Sequence, residues 1–354
     1  MRRQFMFLKS LQYLSVLLIF LVSLKSVFAQ EDRLSSSSIS KVGTSVAQFL
    51  KIGVSARTIG MGEAFAAVAN DVSAIHTNPA GLSRIYANEA MFTHTNWIAD
   101  TKFDFGAFAL DLGSAGTLGF MVLSFSSGDM AVRTVESPDG TGEFFNVQNL
   151  AGAVAYARNL TENFSVGVSF KYIHEGIWHM SANSFAVDIG TLFTTPFWGI
   201  NLGGSISNFG ANMQLSGRDI KFAYDPDPSG SGNVNIVNAE HEMQSYPLPL
   251  RFQVGLAKDL MVGESNRLTM AIDALHPNDN FEYVNAGLEY GWRESLFLRG
   301  GYKSLFLNDS EEGMTLGLGA NIRLAGTVFM KADYAYADFG RLENAQRFSL
   351  AIRF

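Results

Sequence analysis

From about Asn88 to the last residue, Phe354, apolar and polar residues alternate with a period of two, run after run. This constrains the fold strongly. Successive side chains of a strand point to opposite faces, so each run declares one apolar face and one of different character. Leu268, Met270, Ile272 and Ala274 oppose Thr269, Ala271 and Asp273, and Phe252, Val254 and Leu256 oppose Arg251, Gln253 and Gly255. Leu316, Leu318, Ala320 and Ile322 likewise oppose Thr315, Gly317, Gly319 and Asn321. Alternation and turn signals place strands near residues 88–97, 101–111, 115–126, 147–158, 163–175, 180–194 and 198–207. Seven more follow near 249–259, 265–275, 281–291, 295–303, 313–324, 326–338 and 343–354. About fourteen is an even number, and the runs have the length a tilted membrane strand requires.

The chain's start supplies the compartment. Arg2, Arg3 and Lys9 precede an apolar run, Leu11 to Val22, and Val27-Phe28-Ala29 reads as a cleavage site, so residues 1–29 are expected to be a signal peptide. Losing Arg2, Arg3, Lys9 and Lys25 takes the formal charge from −7 to −11, which disfavours nucleic acid as a partner. The chain has no Cys, hence no disulfide framework and no lipid-bearing Cys after the cleavage site. No mature stretch offers the roughly 18 consecutive apolar residues of a spanning helix. A closed barrel is the remaining way to satisfy every backbone group in hydrocarbon, and its lipid-facing surface makes outer-membrane lipid a partner.

The connections test this reading. With both barrel ends on the periplasmic side, odd-numbered connections face outward and can be long, while even-numbered ones are short turns. The two longest gaps, Ser127 to Asn146 and Asn208 to Leu248, are connections three and seven. A soluble β-sandwich has no reason to sort its loops in this way.

Two stretches precede the strands. Residues 30–40, QEDRLSSSSIS, read as a flexible periplasmic linker. Residues 41–87 are rich in small residues and do not alternate, and we expect them to form a plug, or hatch, inside a barrel spanning 88–354. Ala-rich Glu63 to Ala69 carries short helical or turn signals, Asn70 or Asp71 can cap a turn through Ser73 to Ile75, and Asn78-Pro79-Ala80-Gly81 reads as a turn with Gly81 able to accept a positive φ. If the apolar set faces lipid, the inward set holds Gly167, Gly203, Gly255, Gly287, Gly301, Gly317 and Gly319. It also holds Lys171, Asp188, Arg251, Asp273, Glu289, Arg299, Arg323, Lys331 and Asp333. Inward glycines leave room for a plug, or merely bend the strands of a narrow barrel.

The last run, Phe348, Leu350, Ile352 and terminal Phe354, resembles the signature, ending in Phe, of proteins inserted by the outer-membrane assembly machinery. Catalytic patterns fail. His174-Glu175 and His179 are spaced one residue too long for a zinc helix, and Asp225 to Gly230 opens like a calcium loop but would place Ile236 where the bidentate Glu belongs. With no acid, base and nucleophile constellation, neither an enzyme nor a cofactor is expected.

The run FLKIGVSARTIGMGEAFAAVANDVSAIHTNPAGL, Phe49 to Leu82, resembles the N-terminal signature of the PorV/PorQ family of outer-membrane proteins. DALHPNDN (273–280), AGLEYGW (286–292), LRGGYK (298–303), DYAYADFGRL (333–342) and RFSLAIRF (347–354) resemble it too. The resemblance implies an all-β fold similar to FadL-type transporters: an antiparallel transmembrane barrel of fourteen strands with an N-terminal hatch carrying an Asn-Pro-Ala-Gly turn. It also implies a role in type IX secretion, with a large translocon barrel and exported cargo proteins as partners. The alternative is a FadL-like outer-membrane transporter of hydrophobic small molecules such as fatty acids. For docking, Tyr224, Met243 and Tyr246 in the Asn208 to Leu248 loop are the candidate anchors.

Overall fold

The computed structural model describes residues 41–226, 236–263, 265–308 and 310–354. The expected signal peptide, linker and Asp227 to Gly230 therefore lie outside the described residues. Fourteen long strands form one antiparallel ring. In chain order they are β1 (Glu89–Asn96), β2 (Lys102–Asp111), β3 (Thr117–Ser126), β4 (Val147–Asn159), β5 (Phe164–Ile177), β6 (Met180–Thr194) and β7 (Asn201–Gly210). The second half comprises β8 (Arg251–Val262), β9 (Asn266–Pro277), β10 (Tyr283–Trp292), β11 (Leu296–Leu305), β12 (Met314–Ala325), β13 (Val328–Asp338) and β14 (Asn344–Arg353). Each pairs with its sequence neighbour, and β14 returns to β1 in register from Glu89↔Arg353 to Asn96↔Gln346, closing the ring. The expected strand boundaries agree to within three residues.

Closure removes sheet edges, and the alternation then decides what each face meets. Phe92, Phe120, Phe170, Phe185, Leu256, Leu298 and Phe348 stand exposed on the outside, an apolar belt fit for hydrocarbon and not for water. Their neighbours in sequence are buried inside. The ladder is irregular at three places, two of them at inward polar residues: near Asp188, which accepts the Asn208 N–H (2.7 Å), and near Asn285, which accepts the Ser304 N–H (2.9 Å). Arg323, expected inside, is exposed near the end of β12, where its Nε donates to the Gly326 carbonyl.

The long connections carry short ladders of their own: Met130–Ala131 with Phe144–Phe145, Met213–Gln214 with Ser245–Tyr246, and Lys221–Tyr224 with Val237–Glu240. Among the described residues, connections three and seven remain the longest, at the end opposite Asn88 and Phe354.

Residues 41–354 form one unit, and the non-alternating segment is buried within it. It is built of turns and short helices. Gln48–Lys51 and Pro79–Arg84 are 3-10, and Ala56–Gly60 and Ala74–Thr77 are α-helical. Ser55 caps the first α-helix by accepting the Arg57 N–H, and Asp71 holds the turn before the second through the Ser73 N–H (3.0 Å). Glu63 to Ala69, read as short helical or turn structure, is a run of turns in which the N–H groups of Phe65 and Ala66 serve the barrel wall.

Candidate functional site in the barrel interior

The interior site is built by the segment 41–87 meeting the inward faces of the strands. Close approach comes first. Inward glycines on β5 (Gly167), β6 (Gly190), β7 (Gly203), β10 (Gly287), β11 (Gly301) and β12 (Gly317) lie against segment residues between Gly60 and Ala80. At Gly301, a Cβ would collide with the backbone of Met61 and Gly62. Gly60 and Gly317 approach each other so closely that a Cβ on either would sit 3.0 Å from the other's Cα. These glycines are needed for space.

The same explanation corrects the reading of Gly81. It does not adopt a positive φ; a Cβ there would lie 2.6 Å from the Ala69 Cβ and 2.8 Å from that of Ala74. Asn78 caps the 3-10 turn by accepting the Ala80 N–H, and its Nδ2 donates to the carbonyls of Ala66 (2.8 Å) and Thr191 (3.0 Å). Asn78, Pro79, Ala80 and Gly81 are all buried, and the first three meet Gly167 and Gly190.

Electrostatics divide the interior. Along β8–β13 charged residues stand among the inward positions, and Glu289, Arg299, Lys303 and Asp333 are held in ion pairs. Glu289 accepts from Arg299 Nε (2.7 Å), Arg57 Nε (2.9 Å) and Arg267 Nη2 (3.1 Å), so one carboxylate is shared by three arginines. Arg57 also bonds Asp71 (2.9 Å) and Arg299 also bonds Asp333 (2.5 Å). Lys303 pairs with Glu63 (3.0 Å) and Glu312 (2.7 Å), so Glu312 helps to hold an interior cation. Asp273 accepts the backbone N–H groups of Phe65 (2.7 Å) and Ala66 (2.8 Å). Each pairing offsets the desolvation of a buried charge, and several tie the segment to the wall.

Along β2–β4 the inward residues are mostly apolar, namely Phe103, Phe105, Ala109, Met121, Leu123 and a file of alanines from Ala151 to Ala157, with Thr117 and Asn149 buried toward the strand ends. They form one cluster with Phe49, Leu50, Phe65, Ile75 and Leu82 of the segment. Behind this arc the outer wall is hollowed where Gly106 and Gly152 flank Val122 in one cross-strand row. The hollow, about 730 Å³, is apolar and edged by Phe108, Phe120, Phe170 and Tyr172. The β2–β3 and β3–β4 ladders beneath it run without a register break.

At the long-connection end, Asp279 receives Ser45 Oγ (2.5 Å), Gln48 Nε2 (2.7 Å) and Lys51 Nζ (3.1 Å). Burial raises its pKa, but the bonds from Gln48 and Ser45 and the Lys51 charge outweigh burial and leave it below the ordinary carboxylate value.

The other candidate residues do not converge on this interior. Tyr224 is half exposed on the Lys221–Tyr224 ladder beside Phe222, which stacks on His241. Tyr246 pairs with Met213 on a different ladder, and the Met243 carbonyl accepts from Gln214. Phe348, Leu350, Ile352 and Phe354 stand on the outside of the closing strand. His174 bonds Asn183 and His179 bonds Asp219, and among the described residues no cluster could hold a metal ion. Sequence reasoning did not single out Arg57, Glu63 or Asp279. The available signal was charge inside a stretch otherwise made of small and apolar residues.

Residues 22–190 match the sequence model of UPF0164, described as an uncharacterised protein family. No curated protein sequence matches the chain. Among solved structures, the Pseudomonas putida toluene transporter TodX is similar with a TM-score of 0.53 at 11% identity, over 85% of this chain and 97% of that one. The Ralstonia pickettii toluene transporter TbuX gives 0.50 at 11%, over 85% and 97%. The monoaromatic hydrocarbon channel CymD gives 0.52 at 12%, over 85% and 96%. Such identities speak for the fold alone, and neither the family match nor these structures supports the PorV/PorQ resemblance or type IX secretion. The chain is an outer-membrane β-barrel of FadL-like architecture whose first half matches UPF0164.

Proposed function

We propose that this barrel transports small hydrophobic molecules across the outer membrane, with residues 41–87 acting as its plug. The observation that carries the reading is the division of the interior. Ion pairs fix the segment to β10 and β11, whereas its face toward β2–β4 is apolar and lies against apolar side chains of the wall, with an apolar hollow outside. An apolar solute meets the least resistance along that arc when the segment shifts, because no charge must be stripped of its partner there. The hollow is apolar and open to the outside, and its aromatic edges favour ring-shaped hydrocarbons. TodX, TbuX and CymD, which share the fold, are described as toluene transporters and a monoaromatic hydrocarbon channel.

On this reading the Asn78–Gly81 turn docks the plug on β5 and β6, and the Phe348–Phe354 strand serves assembly. Docking of exported cargo is the weaker reading, since Tyr224, Met243 and Tyr246 do not form a single anchor patch. The test is toluene uptake by cells with and without the full chain in the outer membrane, with glucose as a polar control. We expect faster toluene entry and unchanged glucose entry. Equal gains for both would mean an open pore, and no gain for either would overturn transport. A mild-detergent pull-down recovering a very large barrel, or proteins sharing a C-terminal domain, would restore the docking reading.

A further inference from the structure

We infer that the segment 41–87 runs through its own barrel from end to end, with Lys41 at the face of the long connections and Tyr86 at the face of the short turns. One end of the segment is fixed there. Ser45, Gln48 and Lys51 bond Asp279 in connection nine, and the Val46 N–H donates to the Pro247 carbonyl in connection seven (3.1 Å). The other end is fixed at the short turns. The Ser83 carbonyl accepts from Asn159 at the close of β4 (3.3 Å). Arg84 donates to Thr194 at the close of β6 (3.2 Å) and to Asn201 at the start of β7 (3.4 Å). The Phe354 N–H reaches the Asn88 carbonyl (2.9 Å) at the same end.

Between these anchors the segment meets the wall at Gly317, Gly301, Asp273, Gly203, Gly190 and Gly167. A plug that enters and leaves by one mouth can be withdrawn through it. This one is held at both mouths, and moving it toward the short turns would drag Lys41–Ile52 through a filled ring. The ring must therefore close around the segment at the β1–β14 seam, and opening must be a rearrangement inside the barrel.

Barrels of this kind direct long connections outward and short turns to the periplasm. Lys41 to Thr44 are then displayed outside the cell. The inference rests on the anchors alone and holds whether or not the barrel transports hydrocarbons.

The chain has no Cys, so single cysteines can be read without background. Thr44→Cys, Glu242→Cys and Tyr86→Cys place thiols at exposed positions in the segment's start, connection seven and the stretch before β1. Full-length variants in the outer membrane are treated with a membrane-impermeant maleimide, after heat-modifiable gel mobility has confirmed folding. We expect T44C and E242C to react in intact cells and Y86C only after permeabilisation. T44C reacting with the same requirement as Y86C, or in neither condition, overturns threading. Y86C reacting in intact cells while T44C and E242C need permeabilisation keeps threading and overturns external display. Oxidation of a Ser45→Cys/Asp279→Cys pair supplies an independent readout. Threading predicts a cross-linked species regardless of toluene uptake, and its absence in folded protein counts against the anchor.

Discussion

The β8–β13 arc and the β2–β4 arc are made the same way, by alternating strands of one closed sheet, yet hold the segment by opposite physics. The first uses directional ion pairs and backbone-to-carboxylate bonds, the second apolar side chains and small residues. Directional contacts are lost abruptly when geometry changes, whereas apolar contacts can slide. On the proposed transport reading, the charged arc sets where the segment sits and the apolar arc sets how far it can shift.

Four substitutions can break or sharpen that contrast. Glu289→Gln leaves Arg57, Arg267 and Arg299 without their shared carboxylate, and we expect a loss of about 3–5 kcal/mol, read as a drop in the temperature of heat-modifiable unfolding. Leu82→Ala on the apolar arc should cost about 2–5 kcal/mol if the gap stays open and less if the segment slides to fill it. Raised toluene entry with the segment still anchored would be its signature. Should L82A release the segment and E289Q leave it seated, by cysteine accessibility at Thr44, the roles assigned to the two arcs would be wrong. Gly301→Val overpacks the Met61–Gly62 contact, at about 1–3 kcal/mol, and should move the segment without disturbing the outer belt.

The smallest effect is pH dependence at Asp279. Its folded pKa is lowered, so its contribution is present above the unfolded value near 3.9 and is lost as pH falls through the folded one. Acidification below about pH 4 should loosen the Ser45–Lys51 anchor by about 1 kcal/mol, as faster labelling at Thr44, and Asp279→Asn should remove that dependence. Unaltered acid sensitivity in D279N would assign the effect to another group.

Most of the barrel was legible in the sequence because the period of two is enforced on every strand by contact with lipid outside and packing within. Even the parity of the loops could be read. The segment was less so. Its helices are only four to six residues long, held by wall groups far away in the chain, and local composition cannot register an Asp273 that claims the N–H groups of Phe65 and Ala66. Gly81 shows the limit well. Its type was noticed, but the reason, room for Ala69 and Ala74, exists only after the chain has folded. The division into a charged and an apolar arc was present in the residue list, since all nine charges expected inside fall from β5 onward, eight of them inward and Arg323 exposed, and none falls on β2–β4; it became visible only with the ring order.

Closure carries a kinetic consequence. Glu89, at the start of β1, finds its partner in Arg353, next to the last residue, so the seam joins the two most distant parts of the sheet. Contacts of that sequence separation are slow to form, since loop entropy is spent before any contact rewards it. Until they form, the Glu289 cluster has no dry interior to occupy and stays in water. Insertion into the membrane and burial of the charges must then be nearly one event, and a defect in either arc should first show itself as delayed assembly, well before it lowers the stability of the finished barrel.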